Sequence, residues 1–138
     1  MNGWIKLHRS LVGHPRYSDP EWLTVWVYLL LNAVYEVTEK LFDGRVVKLQ
    51  PGQLVTGRHV IAVATGVHES KVFRILQQLK NEQQIEQQAG AKSSIITVLN
   101  WHRYQATEQQ NEQPVNSKRT ASEQQSNTIE ESKKKKKE

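Results

Sequence analysis

The segment Thr56–Glu82, TGRHVIAVATGVHESKVFRILQQLKNE, decides the fold that this sequence predicts. It reads as a short helix, a tight turn and a longer amphipathic helix that begins near His68. Gly66 fits the position after a helix where the backbone turns left-handed. Short helix, turn and longer helix are the pattern of a helix-turn-helix, whose second helix enters the major groove of DNA.

The two helices differ in how clearly their buried sides are marked. For the first helix we expect Thr56 to be the N-cap, with Val60, Ile61 and Ala64 facing inward. The second helix has a regular apolar stripe with spacing i, i+3, i+4, i+7. The stripe consists of Val72, Ile75, Leu76 and Leu79, and the opposite face holds Ser70, Arg74, Gln77 and Asn81.

The polar face of the second helix is short of acids and rich in side chains that read DNA. Arginine pairs with guanine, glutamine pairs with adenine, and serine or lysine holds phosphate. An ordinary solvated helix face is the alternative interpretation. The candidate DNA-binding residues are Ser70, Lys71, Arg74, Gln77 and Gln78 on this helix, together with Arg58 and Lys92.

A hairpin is predicted directly after the second helix. Residues 85–88 and 93–99 read as strands, and the second is β-branched at its centre. Such a hairpin is a wing, with Gly90 at the tip for a close approach and Lys92 for a phosphate or minor-groove contact. Phe73 is expected to pack under this wing, and Trp101 and Tyr104 are expected to close the core.

The region before the helix-turn-helix reads as support. Residues 3–12 suggest a helix or helical turn docked on the core, and Asp43-Gly44 marks a hairpin turn. Asp19 fits the N-cap and Pro20 the first position of a helix that runs to about Glu36. That helix is apolar nearly all round, so either the chain encloses it or it also supplies a face for self-association.

Composition excludes several functional classes. The 138 residues include no cysteine, and the five histidines never occur in a metal-ligand spacing, so no zinc site, other metal site or thiol nucleophile is expected. No phosphate loop or nucleophile elbow appears either, and we therefore expect a binding protein without cofactors rather than an enzyme. The net charge of +5 and the pI near 9.5 favour a polyanionic partner.

The chain divides by composition into two parts. Residues 1–104 hold 12 Lys/Arg against 8 Asp/Glu and are expected to form one DNA-binding domain. Residues 105–138 have no aromatic residue and end in a five-lysine run, so we expect a disordered tail. The amino terminus lacks a secretory signal, and the apolar run Trp22–Leu31 is too short for a membrane span. A cytoplasmic protein with no membrane partner is expected.

Five segments, taken in order, resemble one protein family. They are GWIKLHRSL (3–11), DPEWLTVWVYLLLNA (19–33), LQPGQLVTGR (49–58), ATGVHESKVFRILQQLKNEQQIEQQ (64–88) and SIITVLNWHRYQ (94–105). Together they look like the N-terminal winged-helix domain of phage and bacterial DnaD-like replication initiation proteins, the replisome organisers. The resemblance departs from the family pattern at His68, where serine or threonine is favoured. Fuller members of the family also continue into a second helical domain, whose functions are not carried over.

The resemblance implies a mainly α fold with a small β-wing, namely a winged helix-turn-helix followed by the tail. It also implies sequence-selective binding of double-stranded DNA, self-association into a homo-oligomer, and a role in recruiting replicative helicase or its loader to a phage or prophage origin. A winged-helix transcriptional regulator in a bacterial cytoplasm is the first alternative. A protein-interaction module of the replisome, motivated by the apolar helix, is the second.

Overall fold

A computed structural model describes residues 3–105 of the chain. A single 3₁₀ turn (Arg9–Gly13) precedes the four helices and five strands of the described part. The helices are α1 (Pro20–Asn32), α2 (Arg58–Thr65), α3 (Glu69–Asn81) and α4 (Trp101–Gln105). The strands are β1 (Thr38–Phe42), β2 (Arg45–Leu49), β3 (Gln53–Thr56), β4 (Ile85–Ala89) and β5 (Ser94–Val98).

The strands form two small antiparallel sheets. One is the β1–β2 hairpin, and the other has the order β3-β5-β4. The architecture is therefore mixed α/β rather than mainly α, because β3 joins the β4–β5 hairpin and β1–β2 adds a second sheet. The predicted turn at Asp43-Gly44 and the predicted hairpin after α3 are both confirmed.

The main core lies between the first three helices and the three-stranded sheet. Its fully buried side chains include Val25 and Leu29 of α1, Ile61 of α2 and Ile75 of α3. Trp101 closes it, as expected, and packs so closely over Gly52 that a methyl group there would lie 2.7 Å from the tryptophan Cβ. Tyr104 instead stays partly exposed against the ring of His8.

Helix α1 begins as predicted and ends earlier than predicted. The Asp19 carboxylate accepts hydrogen bonds from the backbone N–H groups of Glu21 and Trp22. The helix stops at Asn32 rather than near Glu36 because Val34 is already paired with the turn before β3. Val34 donates its N–H to the carbonyl of Gln53 at 2.9 Å and accepts from Gly52 at 2.8 Å.

The expectation for residues 3–12 is met in part, and the expectation for the start of α2 is wrong. A helical turn does form, as the 3₁₀ turn Arg9–Gly13, and Ile5 and Leu11 pack on the core. Residues 3–8 are not helical, and Trp4 is 90% exposed. Thr56 is not the N-cap of α2. It ends β3 opposite Ser94, and its buried hydroxyl lies 3.0 Å from the hydroxyl of Tyr28.

The N-cap of α2 is Gly57, which offers no side-chain hydrogen bond. The N-cap of α2 is thus one residue later than predicted. The buried face of α2 is also narrower than predicted. Ile61 is buried, but Val60 and Ala64 are exposed. Ala62, which is partly buried, packs against the core instead.

The end of α3 is fixed by the segment before α1. Glu82, which follows the last residue of α3, forms an ion pair with Arg16 and lies 3.3 Å from Nε2 of His14. The His14 ring in turn stacks on Trp22 with a centroid distance of 4.4 Å. The chain on both sides of Pro15 is thereby attached to the carboxyl end of α3.

Residues 3–105 contain no helix that is long and apolar enough to cross a membrane. The same residues contain no cluster of three acidic or histidine side chains suited to a metal ion. The predicted tail lies outside the described residues.

Candidate nucleic-acid interface

Helices α2 and α3 meet at a left-handed turn. Gly66 has φ 77°, as predicted, and its N–H donates to the carbonyl of Ala62. His68 then caps α3, because its imidazole Nδ1 accepts the backbone N–H of Ser70 at 3.1 Å. The same His-x-Ser pattern caps the 3₁₀ turn through His8 and Ser10. The sequence therefore carried this signal twice, although serine or threonine is the usual residue at such a position.

The predicted division of α3 into two faces is confirmed. Its apolar stripe is fully covered, with Val72, Ile75 and Leu79 at 0% exposure. On the other side Arg74 is exposed, and the helix geometry places Gln77 beside it. Within residues 3–105, the side chains of Arg74, Gln77 and Gln78 make no hydrogen bond or ion pair. Their donors and acceptors are available to a ligand.

Lys71 is placed differently from Arg74. Its Nζ lies 3.1 Å from a carboxylate oxygen of Asp19 and 3.4 Å from one of Glu21, so it connects α3 to the first turn of α1. The hydrogen bond to Asp19 raises the pKa of the Lys71 ammonium, and the hydrogen bond from Lys71 lowers the pKa of the Asp19 carboxyl. A phosphate would therefore compete with two carboxylates for this ammonium group.

Ser70 also has a local partner. Its hydroxyl lies 2.9 Å from Nδ1 of His68, within the helix cap. The neighbouring acid, Glu69, is paired with His59 of α2 at 2.7 Å, and this hydrogen bond lowers the pKa of the Glu69 carboxyl. The one acidic side chain at the start of α3 thus faces a basic group of α2.

Arg58 and Phe73 form a pair that the sequence analysis missed. The guanidinium of Arg58 lies over the Phe73 ring, 5.2 Å from its centroid, and Phe73 remains 45% exposed. Such a contact attracts the guanidinium to the aromatic ring, and Arg58 itself remains exposed to solvent. The two residues are far apart in sequence, and only the packing of α2 against α3 brings them together.

The β4–β5 tip lies next to the start of α2. A methyl group on Gly57 would lie 3.9 Å from the carbonyl oxygen of Lys92. The Lys92 side chain is exposed and has no hydrogen bond or ion pair within residues 3–105. The predicted close approach at Gly90 does occur, but its partner is the β1–β2 turn of the same chain.

The seven candidates therefore fall into three groups. Within the described residues, Arg74, Gln77, Gln78 and Lys92 have no hydrogen bond or ion pair, Arg58 and Ser70 have local contacts, and Lys71 is held by carboxylates. No family model, curated protein or solved structure matches this chain. Inference about its function therefore rests on the sequence pattern and on this geometry.

Proposed function

We propose that this chain is a winged-helix protein that binds double-stranded DNA, with α3 in the major groove and the β4–β5 hairpin as its wing. The observation that carries the proposal is the unpaired polar face of α3. A helix face that serves only solubility can gain stability from charge pairs three or four residues apart. Arg74, Gln77 and Gln78 instead form no hydrogen bond or ion pair within residues 3–105, so their donors and acceptors stay available.

Each contact has a chemical role in the proposal. Arg74 donates two hydrogen bonds to guanine, and Gln77 and Gln78 pair with adenine or adjoining base edges. Arg58, oriented by Phe73, and Lys92 neutralise backbone phosphates beside the groove. Ser70 offers a phosphate contact from the first turn of α3, and Lys71 acts only if DNA displaces Asp19 and Glu21 from its ammonium group.

The biological role in the proposal is initiation of phage or prophage replication, through origin recognition and recruitment of helicase or its loader. It is supported by the order of the five segments described above. Mapping the bound sites in a genome distinguishes this role from transcriptional regulation. Clustering at an origin supports replication, and overlap with promoters supports regulation.

The interaction-module alternative drew its support from the apolar character of α1. In the folded chain most of that apolar surface is covered, and Leu31 is the one large apolar side chain of α1 that is more than half exposed. A small exposed area gives little reason to assign α1 to a partner protein. The DNA-binding proposal is therefore preferred.

The test is selection from random duplexes with the full chain, followed by binding measurements on the selected site. Arg74→Ala and Gln77→Ala should each cost about 1–3 kcal/mol of binding free energy on that site. Lys48→Ala is the matched control, because it removes a cation from the exposed face of β2. Unchanged binding in both α3 variants would show that α3 is not the recognition helix.

A further inference from the structure

The turn of the β1–β2 hairpin lies directly against the tip of the β4–β5 hairpin. The Asp43 carboxylate accepts the backbone N–H of Ala91 at 3.1 and 3.4 Å through its two oxygens. A methyl group on Gly90 would lie 2.7 Å from these oxygens and equally close to Cζ of Phe42. A glycine is therefore needed at this point, because any side chain would push the two turns apart.

Buried packing and the conformation of the turn hold this contact in place. Phe42 is buried in a second apolar cluster with Leu49 and with Ile95 of β5. Asp43 and Gly44 both have positive φ, 52° and 75°, as the tight two-residue hairpin turn requires. Phe42 pairs with Arg45 across this turn, so Arg45 is the first residue of β2 and lies at the same end of the hairpin.

The two joined turns present positive charge to solvent. Arg45 and Lys92 are both exposed, and neither side chain has a hydrogen bond or ion pair within the described residues. The nearest acid in sequence, Asp43, directs its carboxylate at a backbone N–H rather than at either cation. Arg45 and Lys92 therefore keep their charges for an external anion.

A series of contacts connects these cations to α3. Phe73 of α3 contacts the guanidinium of Arg58, and Gly57, the residue before Arg58, lies near the backbone of Lys92. Ala91, the residue before Lys92, donates its N–H to Asp43, which lies two residues before Arg45. Three exposed cationic residues, Arg58, Lys92 and Arg45, lie at or next to these contacts, between α3 and the β1–β2 turn. Duplex DNA has a phosphate on each strand every ~3.4 Å along the helix axis, so a surface with several cations suits its backbone.

We propose that Arg45 and Lys92 form one phosphate-binding site for duplex DNA, held together by the Asp43–Ala91 contact. The inference rests on the DNA-binding function proposed above and adds the β1–β2 hairpin to its surface. Arg45 supplies a planar guanidinium that can hold one phosphate through two hydrogen bonds, and Lys92 supplies a point charge. Asp43 is a positioning residue, because it touches only the protein.

The test measures how binding of the 138-residue chain to mixed-sequence duplex DNA depends on salt. Mixed sequence is suitable because phosphate contacts do not depend on the bases. Arg45→Ala and Lys92→Ala should each weaken binding at low salt. Each should also make the negative slope of log K against log salt shallower by about 0.9. Lys48→Ala, on the same hairpin but across from Glu39, should leave the slope unchanged.

A pair of Asp43 variants tests the contact between the turns. Asp43→Asn keeps an oxygen acceptor for Ala91 and tolerates the positive φ, so Arg45→Ala should reduce the slope in this background as in the wild type. Asp43→Ala removes the acceptor, so adding Arg45→Ala should change the slope by much less. An equal effect of Arg45→Ala in both backgrounds would contradict the positioning role of Asp43.

The outcomes separate this inference from the function on which it rests. If the wild type shows no salt-dependent binding to any duplex, the proposed function is wrong. If Arg74→Ala weakens binding but Arg45→Ala leaves both affinity and slope unchanged, only the two-turn phosphate site is wrong. A circular dichroism melt of each variant confirms that the comparison is made between folded proteins.

Discussion

Helices α1 and α3 have the same length, thirteen residues, and opposite relations to solvent. Helix α1 is apolar on most of its surface, and the chain itself covers nearly all of it. Helix α3 buries one stripe and leaves a polar face on which Arg74, Gln77 and Gln78 have no side-chain partner within residues 3–105. The same core therefore uses α1 for packing alone, whereas α3 combines packing with a surface suited to a ligand.

This difference between α1 and α3 shows which surfaces indicate a function: those that remain accessible after the chain has folded. An apolar excess in α1 suggested a binding face from sequence, but the 3₁₀ turn, β3 and the other helices account for most of it. The exposed face of α3 is informative because Arg74, Gln77 and Gln78 form no hydrogen bond or ion pair with the rest of residues 3–105 and so face solvent with free donors and acceptors. Lys71 marks the boundary between the two cases, since it lies on α3 and is paired with α1.

The largest expected effect is a loss of stability, and it tests the feature that α1 and α3 share, namely their buried side chains. Leu29→Ala in α1 and Ile75→Ala in α3 each remove a side chain that is 0% exposed, and each should lower the free energy of unfolding by about 2–5 kcal/mol. Urea unfolding monitored by tryptophan fluorescence measures both. A loss below about 1 kcal/mol in only one variant would mean that its helix is not enclosed as described.

An intermediate effect is expected where the two helices differ. Arg74→Ala should leave the free energy of unfolding within about 0.5 kcal/mol of the wild type, because the side chain is exposed and unpaired. The same variant should still lose affinity for the selected duplex. Equal losses of stability and binding would instead assign Arg74 a structural role, and the contrast between α1 and α3 would disappear.

The smallest expected effect lies at the junction of the helices and depends on pH. The lowered pKa of Asp19 means that its ionised form stabilises the fold above the unfolded-state pKa of about 4. This contribution is lost as the pH falls through the lower pKa of the folded state. Asp19→Asn keeps a cap acceptor but removes the charge, so it should slightly lower the unfolding midpoint at pH 7.

The difference between Asp19→Asn and the wild type should shrink as the solution is acidified. Lys71→Met is the matched control, since it removes the other partner of the same ion pair. The loss of stability in the double variant should not exceed the sum of the losses in the two single variants. A difference that persists unchanged at low pH would show that charge at Asp19 is unimportant and that capping alone acts there.

Local patterns predicted those elements whose signals are themselves local. The Asp19-Pro20 start, the Asp43-Gly44 turn, Gly66 and the α3 stripe all depend on residues close in sequence. Errors arose where distant pairing decided the outcome. Pairing of Val34 with Gln53 shortened α1, and pairing of Thr56 with Ser94 displaced the cap of α2.

The candidate site follows the same rule. The polar face of α3 is visible from its spacing alone, and so is a hairpin after it. The cation–π contact of Arg58 with Phe73, the pairing of Lys71 with Asp19 and the close approach of Gly90 to Asp43 all require the packed chain. Arg45 was missed for this reason, because nothing near it in sequence indicates that its turn meets the β4–β5 tip.

The attachment of Glu82 to His14 and Arg16 bears on where the chain can be cut. A fragment that began at the first residue of α1 would keep every helix and strand, yet it would leave Glu82 without either partner. The carboxyl end of α3 would then lose its link to the amino-terminal segment, and the turn into β4 would lose support. The shortest fragment suitable for binding studies therefore starts ahead of His14, at or before the 3₁₀ turn Arg9–Gly13.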